Sequence, residues 1–401
     1  MPGNPVAPPK AATSGPVSPR PSVTAPPRPD PAATAAEAVQ GPAATATAAQ
    51  LAALSSQAAE ISRLTTQQMA GQRIIYSFNG LAAPKSLLTA ISHGLVGGVI
   101  LFSFNISSAA QLKTLIGQLT AANASPDNPA RNYPLLLMTD QEGGLIRRLK
   151  WAGPSQSQAQ IGASGQPATA ASAAGTQAAD GLRAVGMNVN LSPVLDVFRV
   201  PGDFDDQNQR SYSMNPAVVS TAGAAFIKAQ QAGGVLATVK HFPGLGAAGA
   251  SQNTDDGPVT LNVPLARLRS IDELPYQAAI QAGARLAMVS WATYPSLDGR
   301  LPAGLSPTVV QGELQNRVGF AGVTITDAIG AGALAAYGPL PNKTMLAARA
   351  GMDALLCTAK RPLPGDQCLA GLAAGYQDGA LPVTAFKAQL AQLLQLRASL
   401  A

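Results

Sequence analysis

Lys240 and His241 follow the apolar run Gly234 to Val239 and precede Phe242-Pro243-Gly244, so a cationic pair and a rigid turn stand where a buried strand meets solvent. Other apolar runs end in acidic or polar residues: Thr139-Asp140-Gln141-Glu142-Gly143-Gly144, Leu195-Asp196 and Thr326-Asp327. Carboxylates gathered with Lys, Arg and His suit a ligand rich in hydroxyls, because bidentate and charge-assisted hydrogen bonds fix its orientation. An unpaired carboxylate such as Asp327 at a strand end is costly unless it serves function.

These residues need a scaffold that brings strand ends together. Eight apolar runs read as strands: Ile74 to Phe78, Gly98 to Phe102, Leu135 to Thr139, Asn188 to Leu195, Val235 to Val239, Leu286 to Trp291, Val323 to Thr326 and Asp353 to Cys357. Helical periodicity is read over 48–69, 109–122, 168–185, 217–232, 272–282, 307–318, 343–350 and 383–400, and Gly186, Gly233 and Gly283 stand as helix C-caps. Strict alternation implies parallel strands joined by crossover helices. Eight such units predict an α/β fold, a (β/α)8 TIM barrel in one domain, with its site at the C-terminal ends of the strands. Asp140, Asp196, Arg210, Lys240, His241, Trp291 and Asp327 fall there. Neither a dinucleotide fingerprint nor a phosphate loop is present, which weakens a Rossmann reading and a barrel acting on phosphorylated metabolites.

With 401 residues and 46% hydrophobic content, the chain can bury a large core, and the barrel needs roughly 250 of them. Residues 1–45, rich in Pro, Ala, Thr and Ser, cannot offset the entropy of ordering and are expected to be a disordered tail, leaving 46–401 as the catalytic domain. The net charge of +6 is spread thinly, so no nucleic-acid or anionic-lipid patch is predicted. Apolar runs are too short for a membrane span, and the first residues form no signal sequence. The tail nevertheless resembles the tethers of exported or envelope enzymes, which sets an extracytoplasmic location against a cytoplasmic one. Cys357 and Cys368 fit either a loop-closing disulfide or two buried thiols. A monomer acting on a small-molecule or oligosaccharide substrate, without metal or organic cofactor, is expected.

Five segments carry a family resemblance: Met138 to Gly144 with Arg148, Leu191 to Asp196, Arg210-Ser211-Tyr212, Lys240 to Gly244, and Ile325 to Ala328. In this order they resemble the motif set of glycoside hydrolase family 3, and in particular the single-domain bacterial β-N-acetylglucosaminidases that act on peptidoglycan fragments. The resemblance spans roughly residues 60–400. It implies that Asp327 is the nucleophile of a retaining mechanism, and that Asp140, Arg148, Arg210, Lys240 and His241 hold the sugar hydroxyls. Asp196 and Glu142 are read as bracing residues.

One motif departs from the pattern. Where the family loop carries an Asp/His acid/base pair, this chain reads Leu245 to Pro258, with Ser251 and Asn253 at the matching positions, and its only histidines are His93 and His241. Asp255 or Asp256 is the candidate substitute acid, against a reading of both as exposed loop carboxylates. The competing functional class is a catalytically impaired sugar-binding or regulatory protein of the cell envelope.

Overall fold

In the computed structural model, the described residues are 48–358 and 364–400; the predicted tail lies outside them. Ten strands occur among them: β1 (Ile74–Tyr76), β2 (Gly98–Ile100), β3 (Leu136–Thr139), β4 (Gln141–Gly143), β5 (Ile146–Arg147), β6 (Val189–Asn190), β7 (Leu236–Phe242), β8 (Leu286–Val289), β9 (Val323–Thr326) and β10 (Leu355–Cys357). Eight form one sheet in the order β10-β1-β2-β3-β6-β7-β8-β9, all pairings parallel. A parallel bridge between Ile325 and Ala354 joins the last strand to the first, and the sheet closes as the expected barrel.

Closure turns one set of side chains inward. Ile75, Ile100, Met138, Leu191, Met288 and Leu356 belong to a cluster buried inside the barrel, while a larger cluster packs between strands and helices. The last helix, Val383–Ala398, contributes Leu393 and Leu396 to the inner cluster. Its Arg397 is fully buried and donates to the carbonyls of Tyr133 and Pro134, both at 2.8 Å, so the charge is spent inside the protein.

Several boundaries differ from the sequence reading for identifiable reasons. The helix expected over 48–69 is two, Ala48–Arg63 and Thr66–Gly71, because Thr65 caps the second through a reciprocal bond pair with Gln68. The fourth predicted strand is cut to Val189–Asn190; Pro193 has no N–H to give the ladder, and pairing resumes where Leu195 N donates to Lys240 O at 2.8 Å. Gly186 and Gly283 take left-handed caps with φ +89° and +82°, but after the helix Pro216–Ala232 that role falls to Gly234, φ +81°, one residue beyond Gly233. The hairpin β4–β5 and the helices Lys85–Ser92 and Pro364–Gln377 were not expected.

Cys357 and Cys368 are joined as a disulfide, with Cα atoms 6.4 Å apart, and no free cysteine remains. The bridge ties the end of β10 to the first turns of Pro364–Gln377.

Candidate active site

The site is built at the C-terminal ends of the strands, in a cavity of about 330 Å³. Ile100, Leu191, Met288 and Leu356 from the barrel interior form its apolar floor. Its polar wall contains Asp140, Arg148, Arg210, Lys240, His241, Asn253, Asp255 and Asp327. Seven residues singled out in the sequence, Asp140, Arg148, Arg210, Lys240, His241, Asp255 and Asp327, therefore face one space although up to 187 positions separate them (327 − 140).

Lys240 and His241, expected where the strand meets solvent, instead stay inside the end of β7, 2% and 5% exposed. Burial of cations is tolerated because each is paired. Lys240 Nζ donates to Asp140 Oδ1 at 2.9 Å and lies 2.7 Å from Glu142 Oε1. Glu142 also receives Arg210, Nε at 3.0 Å and Nη2 at 2.8 Å, in a two-pronged contact. Arg148 Nη2 reaches Asp140 Oδ2 at 3.4 Å. Burial opposes ionisation of Asp140 and Glu142, but the cations around them win and hold both carboxyls below their usual range. Burial likewise opposes the charge on Lys240, and Asp140 and Glu142 overcome it and raise its pKa.

His241 is set by Asp196, which is fully buried and does not line the cavity. Asp196 faces His241 Nδ1 at 2.7 Å and accepts the backbone N–H of His241, at 3.2 Å, and of Leu245, at 2.6 Å. Against the effect of burial, the imidazole and these N–H groups depress the Asp196 pKa, and Asp196 raises that of His241. Gly244 follows at φ +137°, and a Cβ there would stand 2.6 Å from Asp272, so the turn that starts the next loop has no room for a side chain.

Asp327 follows β9 and accepts from Ala328 N at 2.7 Å. Trp291, expected among the strand-end site residues, is instead buried beneath this turn, where its Nε1 donates to Ala328 O at 2.9 Å. It supports the turn without reaching the cavity.

The divergent loop separates its two acids. Asp255 lines the cavity, and although the residue as a whole is exposed, packing about its carboxyl and the nearby charge of Asp327 push its pKa up to about 6. Asp256, named with it as a candidate acid, is not in the cavity wall; its Oδ2 accepts from Asn253 Nδ2 at 2.8 Å on the exposed side of the loop. The turn that aims Asp255 inward aims its neighbour outward. Asp255 O and Thr254 O accept from Gly332 N and Ala333 N at 2.8 and 3.0 Å, anchoring the loop. Ser251 is exposed, and His93 caps the helix Lys85–Ser92 outside the cavity.

Phe102, Phe204, Asn208 and Thr254 also line the cavity and were missed. Phe204 opens a short helix, Phe204–Gln207, and Asn208 caps its end, in a segment with no strong pattern; only its closeness to Arg210 in sequence could have drawn attention.

Residues 60–396 match the glycosyl hydrolase family 3 N-terminal domain. A secreted glycosyl hydrolase of Arthroderma benhamiae is 44% identical over 333 residues, 82% of this chain and 93% of that protein. A β-hexosaminidase of Stenotrophomonas maltophilia is 34% identical over 66% of this chain and 77% of its own length. Among solved structures, a glycoside hydrolase family 3 β-N-acetylglucosaminidase from Paenibacillus sp. superposes with a TM-score of 0.78 at 31% identity, covering 84% of this chain; the chain spans 63% of that enzyme. The β-N-acetylhexosaminidase of Beutenbergia cavernae gives 0.73 at 30% identity, with 83% and 98% covered.

Proposed function

The chain belongs to glycosyl hydrolase family 3, as a β-hexosaminidase-like hydrolase, and from that premise we propose that it releases terminal β-linked N-acetylglucosamine, as found in peptidoglycan fragments, with retention of configuration. Asp327 attacks the anomeric carbon and forms a glycosyl-enzyme while Asp255 gives its proton to the departing oxygen. Water then attacks the same carbon, Asp255 takes the water's proton, and Asp327 leaves. Asp140, Arg148, Arg210, Lys240 and His241 hold the sugar's hydroxyls in this scheme.

One observation carries the reading: Asp255 and Asp327 wall the same cavity, and burial with the neighbouring charge brings Asp255 to about 6, where a carboxyl can both give and take a proton near neutral pH. It favours an active enzyme over an impaired binding protein, because the position vacated by the usual pair has an acid beside it. Asp256 has no part in the mechanism. The proposed setting is outside the cytoplasm, which the Cys357–Cys368 disulfide and the secreted Arthroderma relative support.

The test is trapping with a mechanism-based 2-fluoro-N-acetylglucosaminyl analogue followed by peptide mass spectrometry. Label on Asp327, and none in Asp327→Asn, is expected; label on another residue overturns the assignment.

A further inference from the structure

We propose that Phe102 and Phe104 form a stacking platform for the aglycone sugar, a second subsite that makes the enzyme selective for β-linked di- and oligosaccharides over glycosides with small aglycones. The inference rests on the reading of the cavity as a sugar site. Phe102 belongs to the cavity wall, and its ring lies 5.4 Å from that of Phe104 at an interplanar angle of 29°. Phe104 is 53% exposed, so the aromatic wall runs without a break from the cavity to solvent.

An exposed ring is ordinary when it sits on a loose loop. This one does not. The turn Ser103–Asn105 is clamped by the buried Asn105, whose Nδ2 donates to Phe78 O at 2.9 Å and Gly80 O at 2.8 Å while its Oδ1 accepts from Phe102 N at 2.9 Å. Gln111 Nε2 adds bonds to Asn105 O at 3.1 Å and Leu81 O at 2.7 Å. Leu81, 47% exposed, stands on the segment thus tied to the turn and extends the apolar rim. The fold therefore commits several hydrogen bonds, one of them fully buried, to holding a half-exposed aromatic ring beside the cavity, which is the character of a pre-organised contact.

Size points the same way. A cavity of about 330 Å³ is at the small end for ligand sites, suited to a single pyranose. The next ring of a β-linked chain must then lie past the mouth, beside the rim that Phe104 supplies. The C–H face of a β-linked pyranose is flat and apolar, and an aromatic face binds it without needing buried polar partners.

The experiment compares binding of N-acetylglucosamine and of a non-hydrolysable thio-linked N,N′-diacetylchitobiose by calorimetry, in wild type, Phe104→Ala and Phe104→Trp. Phe104→Ala should weaken the disaccharide about tenfold and leave the monosaccharide unchanged, with Phe104→Trp restoring affinity. Equal weakening of both sugars, or no change in either, overturns the subsite while leaving the cavity reading intact. Failure of the wild type to bind either sugar overturns the cavity reading and the subsite with it.

Discussion

The Nδ1 of His241 stands 2.7 Å from the carboxylate of Asp196, a residue with no surface of its own. A carboxylate accepts, so Nδ1 carries the proton and Nε2 is the nitrogen left for the cavity. Because the His241 pKa is raised in the fold, its pairing stabilises the protein fully below the unfolded pKa of about 6.5, and that contribution is lost as pH rises through the folded value. Asp196→Asn should lower the titration of His241 and remove that slope. With only two histidines in the chain, His241 and His93 can be followed separately by NMR; an unchanged His241 titration would show that Asp196 does not set it.

Lys240 holds Asp140 and Glu142 together, and all three are largely enclosed. Lys240→Met removes the cation and leaves two carboxylates with reduced compensation. Breaking a buried pair by deleting one partner costs about 3–5 kcal/mol, so the variant should melt well below wild type and lose sugar affinity. Lys240→Met with Glu142→Gln should recover part of the stability but not the affinity, as read by calorimetric melting and titration. Recovery of both would show that Lys240 is structural alone.

Asp205 makes an independent pH prediction. It is buried on the short helix beside the cavity, neither oxygen has a hydrogen-bond partner, and Arg210 Nη1 approaches only to 3.5 Å. Burial, then repulsion from Asp196, pushes its pKa up to about 7 from an ordinary 3.8. The folded state thus keeps a proton that the unfolded chain releases, and stability falls as pH climbs between those values. Asp205→Asn should gain stability relative to wild type across that window and hold a constant difference above it. Asp272, also raised to about 7, stays in both proteins as an internal control. Parallel melting curves from pH 4 to 8 would sink the argument.

The barrel was legible because most β/α units write their own signal: an apolar run, a periodic segment and, after several helices, a glycine before the next strand. The hairpin β4–β5 was not, since its arms are only three and two residues long and carry Gln141, Glu142 and Arg147 where alternation would be sought. The helix Pro364–Gln377 opens on Pro-Gly and so imitates a loop, although proline is at home in a first helical turn. At the site, residue types and strand ends located the cavity wall, but the partners could not be read: that Glu142 serves both Lys240 and Arg210, or that Asp196 turns inward to His241, depends on contacts tens of residues apart. Asp255 and Asp256 are adjacent and chemically identical, and only the fold of the loop separates them.

The strongest demand falls on Asp255. If it supplies the proton, Asp255→Asn should lower turnover of a natural β-linked disaccharide by roughly 10²- to 10⁴-fold. A nitrophenyl glycoside should lose much less in kcat/KM, because nitrophenolate departs without a proton and the first step then needs only Asp327. With that first step eased, glycosyl-enzyme should accumulate in the variant, since the second step still lacks its base; added azide should speed its decay and yield the β-azide, the mark of retention. In wild type, kcat/KM for the disaccharide should fall as pH rises through about 6, where Asp255 loses its proton, and this limb should vanish in Asp255→Asn. Asp256→Asn, at a residue outside the cavity wall whose carboxylate accepts from Asn253 on the exposed side of the loop, should keep both the rate and the limb. Equal losses of kcat/KM on both substrates in Asp255→Asn, or the limb surviving in it, would assign the proton to another group.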